Sequence, residues 1–255
     1  MITSHKHGYL FIEIPLTASW AVRHELCKYY GGTPILHKHA SYPEFRRIST
    51  ADERGYFVFA TVRNPLDVAV SRYFKLKTDH KSVFTDAESL KASRVDYSDL
   101  KKYRFVEEEN ATFEDYFRKY HRRPFNGMIH LSSGNTDYVM RYERLQGDFS
   151  EVLRRLGIEQ ARPVPVMNKT PSKKAQWQSY YTASIIEQAK RNFGPFMQRW
   201  GYEFTADWGD YSPSWIKEAE FRLLSMVAKL YLTRFRYSQG VSAKLVRLLR
   251  AFWIR

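Results

Sequence analysis

Two apolar runs in this chain each end directly in a turn that opens a helix. That repeated junction narrows the possible folds more than any other feature. The first run, Tyr9–Ile14, meets Pro15, a Thr-Ala-Ser turn and then helical spacing. The second, Tyr56–Val62 (YFVFATV), runs into Arg63-Asn64-Pro65, and Pro65 and Asp67 start a helix. A third run, Tyr138–Tyr142, precedes DFSEVLRRLGI, a helix stopped at Gly157. Short apolar strands alternating with helices predict a parallel sheet with helices on its faces.

The remaining pattern fills in that frame. Val22, Leu26 and Tyr29 share a helical face that ends at Gly31-Gly32. Thr112 caps a helix, with Asp115 three residues on. QSYYTASIIEQAKRNFGPFMQRWGYEF reads as a helical pair or as one interrupted helix. Residues 75–110 are charge-dense with little periodicity, which predicts a surface excursion, either a lid or a substrate-contacting loop. Cys27, the single cysteine, permits no intrachain disulfide and no Cys-based metal site, and fits a reducing compartment. Beside Leu26 it is expected as a small buried side chain. No run reaches the roughly 20 apolar residues of a membrane span. Glu13 and Pro15 interrupt the first run, so it reads as a core strand rather than a signal peptide.

A formal net charge of +14 implies an anionic partner: a nucleotide, a polyanionic sugar, nucleic acid or a membrane surface. Eight of the basic residues fall between Phe221 and Arg255, where there is no Asp or Glu. There Arg222, Ser225, Lys229, Thr233 and Arg236 share one helical face, and Leu223, Val227, Leu230 and Tyr231 the other. After Gly240 a second stripe runs through Val241, Leu245, Leu248 and Phe252. A basic excess held in an amphipathic tail, rather than among exposed aromatics of a sheet, argues against nucleic acid. Gly-x-x-x-x-Gly-Lys-Ser/Thr occurs nowhere, which argues against a P-loop kinase.

Three segments could carry chemistry. The turn at Pro15–Trp20 has the strand–turn–helix build of an anion site, yet it holds neither lysine nor glycine. In RNPLDVAVSRYF, Arg63 could take a phosphate by a bidentate contact, and Ser71 could add a hydroxyl. On residues alone, an ordinary strand-to-helix junction explains that stretch as well. In LHKHASYPEFRR, His37 and His39 alternate, so on an extended segment they face one side, and either could act as a base at neutral pH. A solvated basic turn is the alternative there. A metal would need a third ligand that nothing nearby supplies.

These segments together resemble sulfotransferases that use 3′-phosphoadenosine 5′-phosphosulfate. Arg63, Asn64, Pro65, Asp67, Val68, Val70, Ser71 and Tyr73 match the family's 3′-phosphate segment. Pro15, Thr17, Ala18 and Ser19 match its 5′-phosphosulfate loop, and LHKHASYPEFRR resembles the His-x-His segment of uronyl 2-O-sulfotransferases and the Lys-His-Ala segment of bacterial relatives. The resemblance covers about residues 8–205. It implies that Arg63 and Ser71 hold the 3′-phosphate, and that Pro15, Leu16, Thr17, Ala18, Ser19 and Trp20 wrap the phosphosulfate. It makes His39 the favoured base and His37 the second choice, and places Lys173, in NKTPSKK, on a loop over the nucleotide. A solvated charge run explains that last loop equally well. YERL after the third strand is expected to be mainly structural.

Two departures stand out. Leu16 replaces the lysine that the family sets against the bridging oxygen, and Trp20-Ala21 replaces a Thr-Ser pair. Lys38, Lys173 and Lys174 are candidate substitutes, and Trp20 either stacks or, as the favoured expectation, fills core space. Glu13, beside an anion site, would repel the anion unless it pairs with a basic residue or contacts substrate.

The expectation is therefore an α/β fold, a P-loop-like three-layer domain with a central parallel sheet over residues 1–207. A basic amphipathic helical extension follows over residues 208–255. By resemblance the chain moves a sulfuryl group from the nucleotide donor, with no metal, to an acceptor hydroxyl on a carbohydrate or lipid-linked glycan. The compartment expected is cytoplasmic, with peripheral membrane contact through the tail. The alternative is a nucleotide-binding homologue whose catalysis is impaired by Leu16.

Overall fold

The computed structural model describes residues 1–86, 88, 97–125, 127, 134–167, 170, 172–173, 176–212 and 214–230. Residues fall into two compact units, Met1–Arg63 with Gly127–Lys169, and Asn64–Asn126 with Thr170–Leu224. The second half of the last described helix groups with the first unit.

The first unit carries a five-stranded sheet: β1 Ile2–Ser4, β2 Tyr9–Ile12, β3 Thr33–Pro34, β4 Phe57–Val62 and β5 Tyr138–Arg141, ordered β3-β1-β2-β4-β5. The three expected strands are parallel neighbours, with Phe11 opposite Phe59 and Ala60 opposite Val139. β2 and β4 are buried almost throughout, which is why they read as unbroken apolar runs. β1 pairs antiparallel with both β2 and β3, so the sheet is mixed rather than wholly parallel. Helix α1 (Ser19–Tyr29) buries Ala21, Val22, Glu25 and Leu26. Helix α6 (Leu145–Arg155) buries Phe149, Val152 and Leu153. Apart from Glu25, these side chains share one core with Tyr9, Phe11, Phe59 and Met140. The ring of Phe59 lies 5.1 Å from that of Phe11 and 5.8 Å from that of Tyr9, within the range of favourable aromatic pairs. Cys27 and Tyr29 are exposed, correcting two expectations: the face that packs runs through Val22, Leu26 and Glu25, and Cys27 lies off it.

The second unit is helical among its described residues. Helix α3 (Pro65–Lys77), α4 (Tyr97–Glu107), α5 (Phe113–Tyr120) and α7 (Ala183–Trp200) enclose a core of Leu66, Val70, Tyr73, Val106, Phe113, Phe117, Tyr181 and Phe193. α5 opens on the expected cap: Thr112 Oγ1 accepts from the Asp115 N–H, and Asp115 Oδ2 accepts from the Thr112 N–H at 3.1 Å. The stretch 75–110 is not simply an irregular excursion. It contains α4, which buries Val106 and packs Tyr103 and Phe105 against the core. The helical pair resolves as one helix: α7 passes through Gly194-Pro195 and stops at Gly201 in a left-handed conformation. Gly194 is needed there because the Tyr211 ring occupies the space a Cβ would take. Trp208, the first residue of the expected extension, is buried in this core against Tyr181 and Phe204.

A short helix α2 (Tyr42–Ile48) lies in the first unit, and α8 spans Trp215–Leu230. α8 buries Phe221 and Leu224 and leaves Ile216, Leu223, Met226 and Leu230 exposed. The second tail stripe, from Val241 onward, lies outside the described residues. Among the described residues no helix is long and apolar enough to cross a membrane.

Candidate active site

In the first unit the chain leaves β2 at Ile12 and enters α1 at Ser19. Between them Leu16 (φ 64°) and Ala18 (φ 61°) both take the left-handed conformation, although neither is glycine. That conformation costs about 1–2 kcal/mol for a residue with a Cβ, and it persists only where surrounding contacts impose it. Those contacts come from Thr17, whose hydroxyl donates to the Ile14 carbonyl at 2.8 Å and also bonds Thr61 Oγ1 of β4. The side chain of Thr17 is thus committed inward. α1 starts with Ala18 at its cap position, with no capping side chain and no acidic residue in its first turn. Its orphan N–H groups and dipole therefore favour an anion.

Glu13, at the foot of this loop, is fully buried, and its Oε2 accepts from Arg23 Nη1 at 2.8 Å and from the Met1 nitrogen at 2.9 Å. This pairing answers the expected repulsion, for Glu13 turns its charge into the protein. Its Oε1 has no hydrogen-bond partner.

Residues 36–40 do not form an extended segment. Leu36 is left-handed (φ 53°) and the Ala40 N–H bonds the His37 carbonyl at 3.0 Å, closing a turn. The two histidines consequently separate instead of sharing a side. His37 Nε2 lies 2.9 Å from Glu44 Oε1, whose other oxygen accepts from the Ser41 N–H in the α2 capping box. His39 Nδ1 lies 2.8 Å from the Glu13 carbonyl. A carbonyl only accepts, so Nδ1 carries the hydrogen, and the neutral ring keeps its lone pair on Nε2. Burial pushes the His39 pKa below its ordinary value, against a weaker opposing pull from the Glu13 carbonyl. Between the two histidines, Lys38 sets its Nζ 4.8 Å from the centre of the Trp20 ring. Trp20 is 42% exposed, so it does not fill the core as expected.

Arg63 follows β4 directly. Its Nη1 donates to the Leu16 carbonyl at 2.9 Å, and its guanidinium carbon stands 4.0 Å from the centre of the Tyr142 ring. Tyr142, expected to be structural, is thereby joined to the candidate site. The available signal was an aromatic residue at the end of a parallel strand. A cavity of about 350 Å³ opens in the same unit, lined by Ala18 and Ala21, by Tyr142 to Gly147 and by Val164 to Met167.

In the second unit Ser71 is fully buried on α3. Asn64 caps that helix by accepting from the Leu66 N–H at 2.9 Å. Lys173 pairs with Asp67 at the start of the helix. Lys174 lies outside the described residues. The first unit therefore brings together Pro15, Leu16, Thr17, Ala18, Ser19, Trp20, His39 and Arg63 with Lys38, while His37 turns to Glu44.

The description "Sulfotransferase family" matches residues 1–202. The chain belongs to the sulfotransferase family. No curated protein and no solved structure matches it significantly. As a sulfotransferase it is an enzyme that moves sulfate to an acceptor, and the match begins before the loop and runs to the end of α7.

Proposed function

We propose that this sulfotransferase transfers a sulfuryl group from 3′-phosphoadenosine 5′-phosphosulfate to a hydroxyl of a carbohydrate or a lipid-linked glycan. The observation that carries the reading is the loop of residues 15–20, whose two left-handed residues deliver an uncapped helix N-terminus while Arg63 holds its Leu16 carbonyl. The loop and α1 bind the phosphosulfate. Arg63 and Ser71, eight residues apart in one motif, bind the 3′-phosphate. His39 Nε2 takes the proton of the acceptor hydroxyl as its oxygen bonds to sulfur. The sulfur–oxygen bond to the phosphate breaks, and its electron pair stays on the phosphate oxygen. None of these steps requires a metal ion.

The binding half is tested with Arg63→Ala by calorimetry. A charged hydrogen bond is worth roughly 1.5–3 kcal/mol, so binding of adenosine 3′,5′-bisphosphate should weaken at least about tenfold. Binding of 5′-AMP, which lacks the 3′-phosphate, should change much less. Equal losses for both ligands would overturn the assignment. A wild-type chain that binds the bisphosphate but transfers no sulfate would favour the impaired homologue instead.

Peripheral contact with an anionic lipid surface is the companion reading. It is supported by the exposed Ile216, Leu223, Met226 and Leu230 of α8 and by the acid-free sequence from Phe221 onward.

A further inference from the structure

A carboxylate is an unexpected neighbour for an anion loop, yet Glu13 lies two residues before Pro15. It is fully buried. Its Oε2 accepts from Arg23 Nη1 of α1 at 2.8 Å and from the Met1 nitrogen at 2.9 Å, and its Oε1 has no hydrogen-bond partner among the described residues. A buried carboxylate oxygen left unpaired costs stability, so its presence calls for a reason. The same residue meets His39 through its main chain, where the carbonyl accepts from Nδ1–H at 2.8 Å. The Met1 nitrogen that bonds Oε2 also donates to the carbonyls of His37 and Lys38, at 3.3 Å each. Glu13 therefore reaches the turn of residues 37–39 by two routes, and Arg23 ties the arrangement to α1. All of these residues lie in the first unit.

When Nε2 takes a proton the ring becomes an imidazolium, and Nδ1–H stays on the carbonyl. A half-buried imidazolium needs negative charge near it. Burial is the largest influence on His39 and lowers its pKa, and the charges of Lys38 and of the Met1 amine act in the same direction. The carbonyl and the carboxylate of Glu13 oppose them. We infer that Glu13 is a positioning residue for His39: its carbonyl fixes the tautomer, and its buried carboxylate, restrained by Arg23, stabilises the imidazolium that forms as the acceptor hydroxyl gives up its proton. This rests on the reading of His39 as the base. The proton passes from the acceptor oxygen to Nε2 as that oxygen bonds to sulfur, and Glu13 itself exchanges no proton.

The test is the titration of His39 by NMR in the full chain, with turnover measured over the same pH range. The ring signal is assigned by its absence from His39→Ala. Glu13→Gln keeps the size and the main-chain carbonyl of residue 13 and removes the charge, so the His39 midpoint should move to lower pH. Arg23→Gln removes a positive charge and leaves that of Glu13 less compensated, so the midpoint should move to higher pH. The acidic limb of turnover should follow the midpoint in each variant. A merely structural role for the pair does not predict opposite signs. Midpoints that stay at the wild-type value, or that shift in the same direction in both variants, would overturn the inference and leave His39 standing as the base. If Glu13→Gln does not fold, Arg23→Gln carries the test alone, because its side chain reaches solvent; a midpoint that stays or falls there overturns the inference. Midpoints that separate as expected, in a chain whose wild-type turnover has no acidic limb, would instead bring down the reading of His39 as the base, and the inference with it.

Discussion

Replacing His39 by alanine removes a ring whose proton position the fold has already decided. Nδ1–H is spent on the Glu13 carbonyl at 2.8 Å, which leaves Nε2 as the basic atom. Burial disfavours the imidazolium, so the neutral form persists to lower pH than in a free histidine, whose pKa is about 6.5. For a base that must be neutral, turnover therefore rises with pH and passes its midpoint below about 6.5. A general base contributes typically 10²–10⁴ in rate, or about 3–5 kcal/mol of barrier. His39→Ala should lose that amount in kcat, with little change in bisphosphate affinity, and the acidic limb of the profile should vanish with it. His37→Ala is the control. That ring is bound to Glu44 at 2.9 Å, away from His39, so its loss should leave the pH profile in place. Turnover is measured with a labelled donor between about pH 5 and 9. Undiminished turnover in His39→Ala, or an acidic limb that survives it, would refute the role.

Two further outcomes follow from other parts of the chain. His121 is stacked on Phe117 and its Nε2 is buried without a hydrogen-bond partner, and burial pushes its pKa down to about 3. The unfolded chain takes up that proton near pH 6.5 and the folded chain does not, so this contribution to stability is complete above about pH 6.5 and is lost between there and about 3, on the order of 5 kcal/mol in all. His121→Phe should flatten that part of the acid-denaturation curve, and an unchanged curve would count against it. Leu223→Glu, and separately a chain ending after Leu230, should pellet less with anionic liposomes than the full chain, and equal pelleting by all three would remove the membrane reading.

Much of the fold was legible because β2 and β4 are buried on both faces and so read as continuous apolar runs, each ended by its own proline or Arg-Asn-Pro turn. β1 and β3 were not legible. They are three and two residues long, and Thr3, Ser4 and Thr33 carry no apolar alternation. α4 escaped notice because its spacing through Leu100, Tyr103 and Val106 is diluted by charge, and among its residues only Val106 is fully buried. At the candidate site, the motif residues of the loop and of the Arg63 segment could be named from sequence, because their spacing along the chain is local. The divergence of His37 from His39 depends on the left-handed Leu36, and the stacking of Tyr142 on Arg63 depends on the parallel pairing of β4 with β5. Neither leaves a trace in a local pattern.

Among the described residues the sheet ends on one side at β3. β3 is a pair of exposed residues, and one of them, Pro34, has no N–H to offer a further strand. A sheet edge with a full row of unpaired amides is a template for another chain, and short or proline-bearing edge strands deny it that use. β1 and β3 together close off the flank of β2, the strand that feeds the anion loop. The strand most exposed to mispairing, because it is wholly apolar, is thus fenced from self-association, and copies of this enzyme that meet through the β3 edge have no ladder to extend.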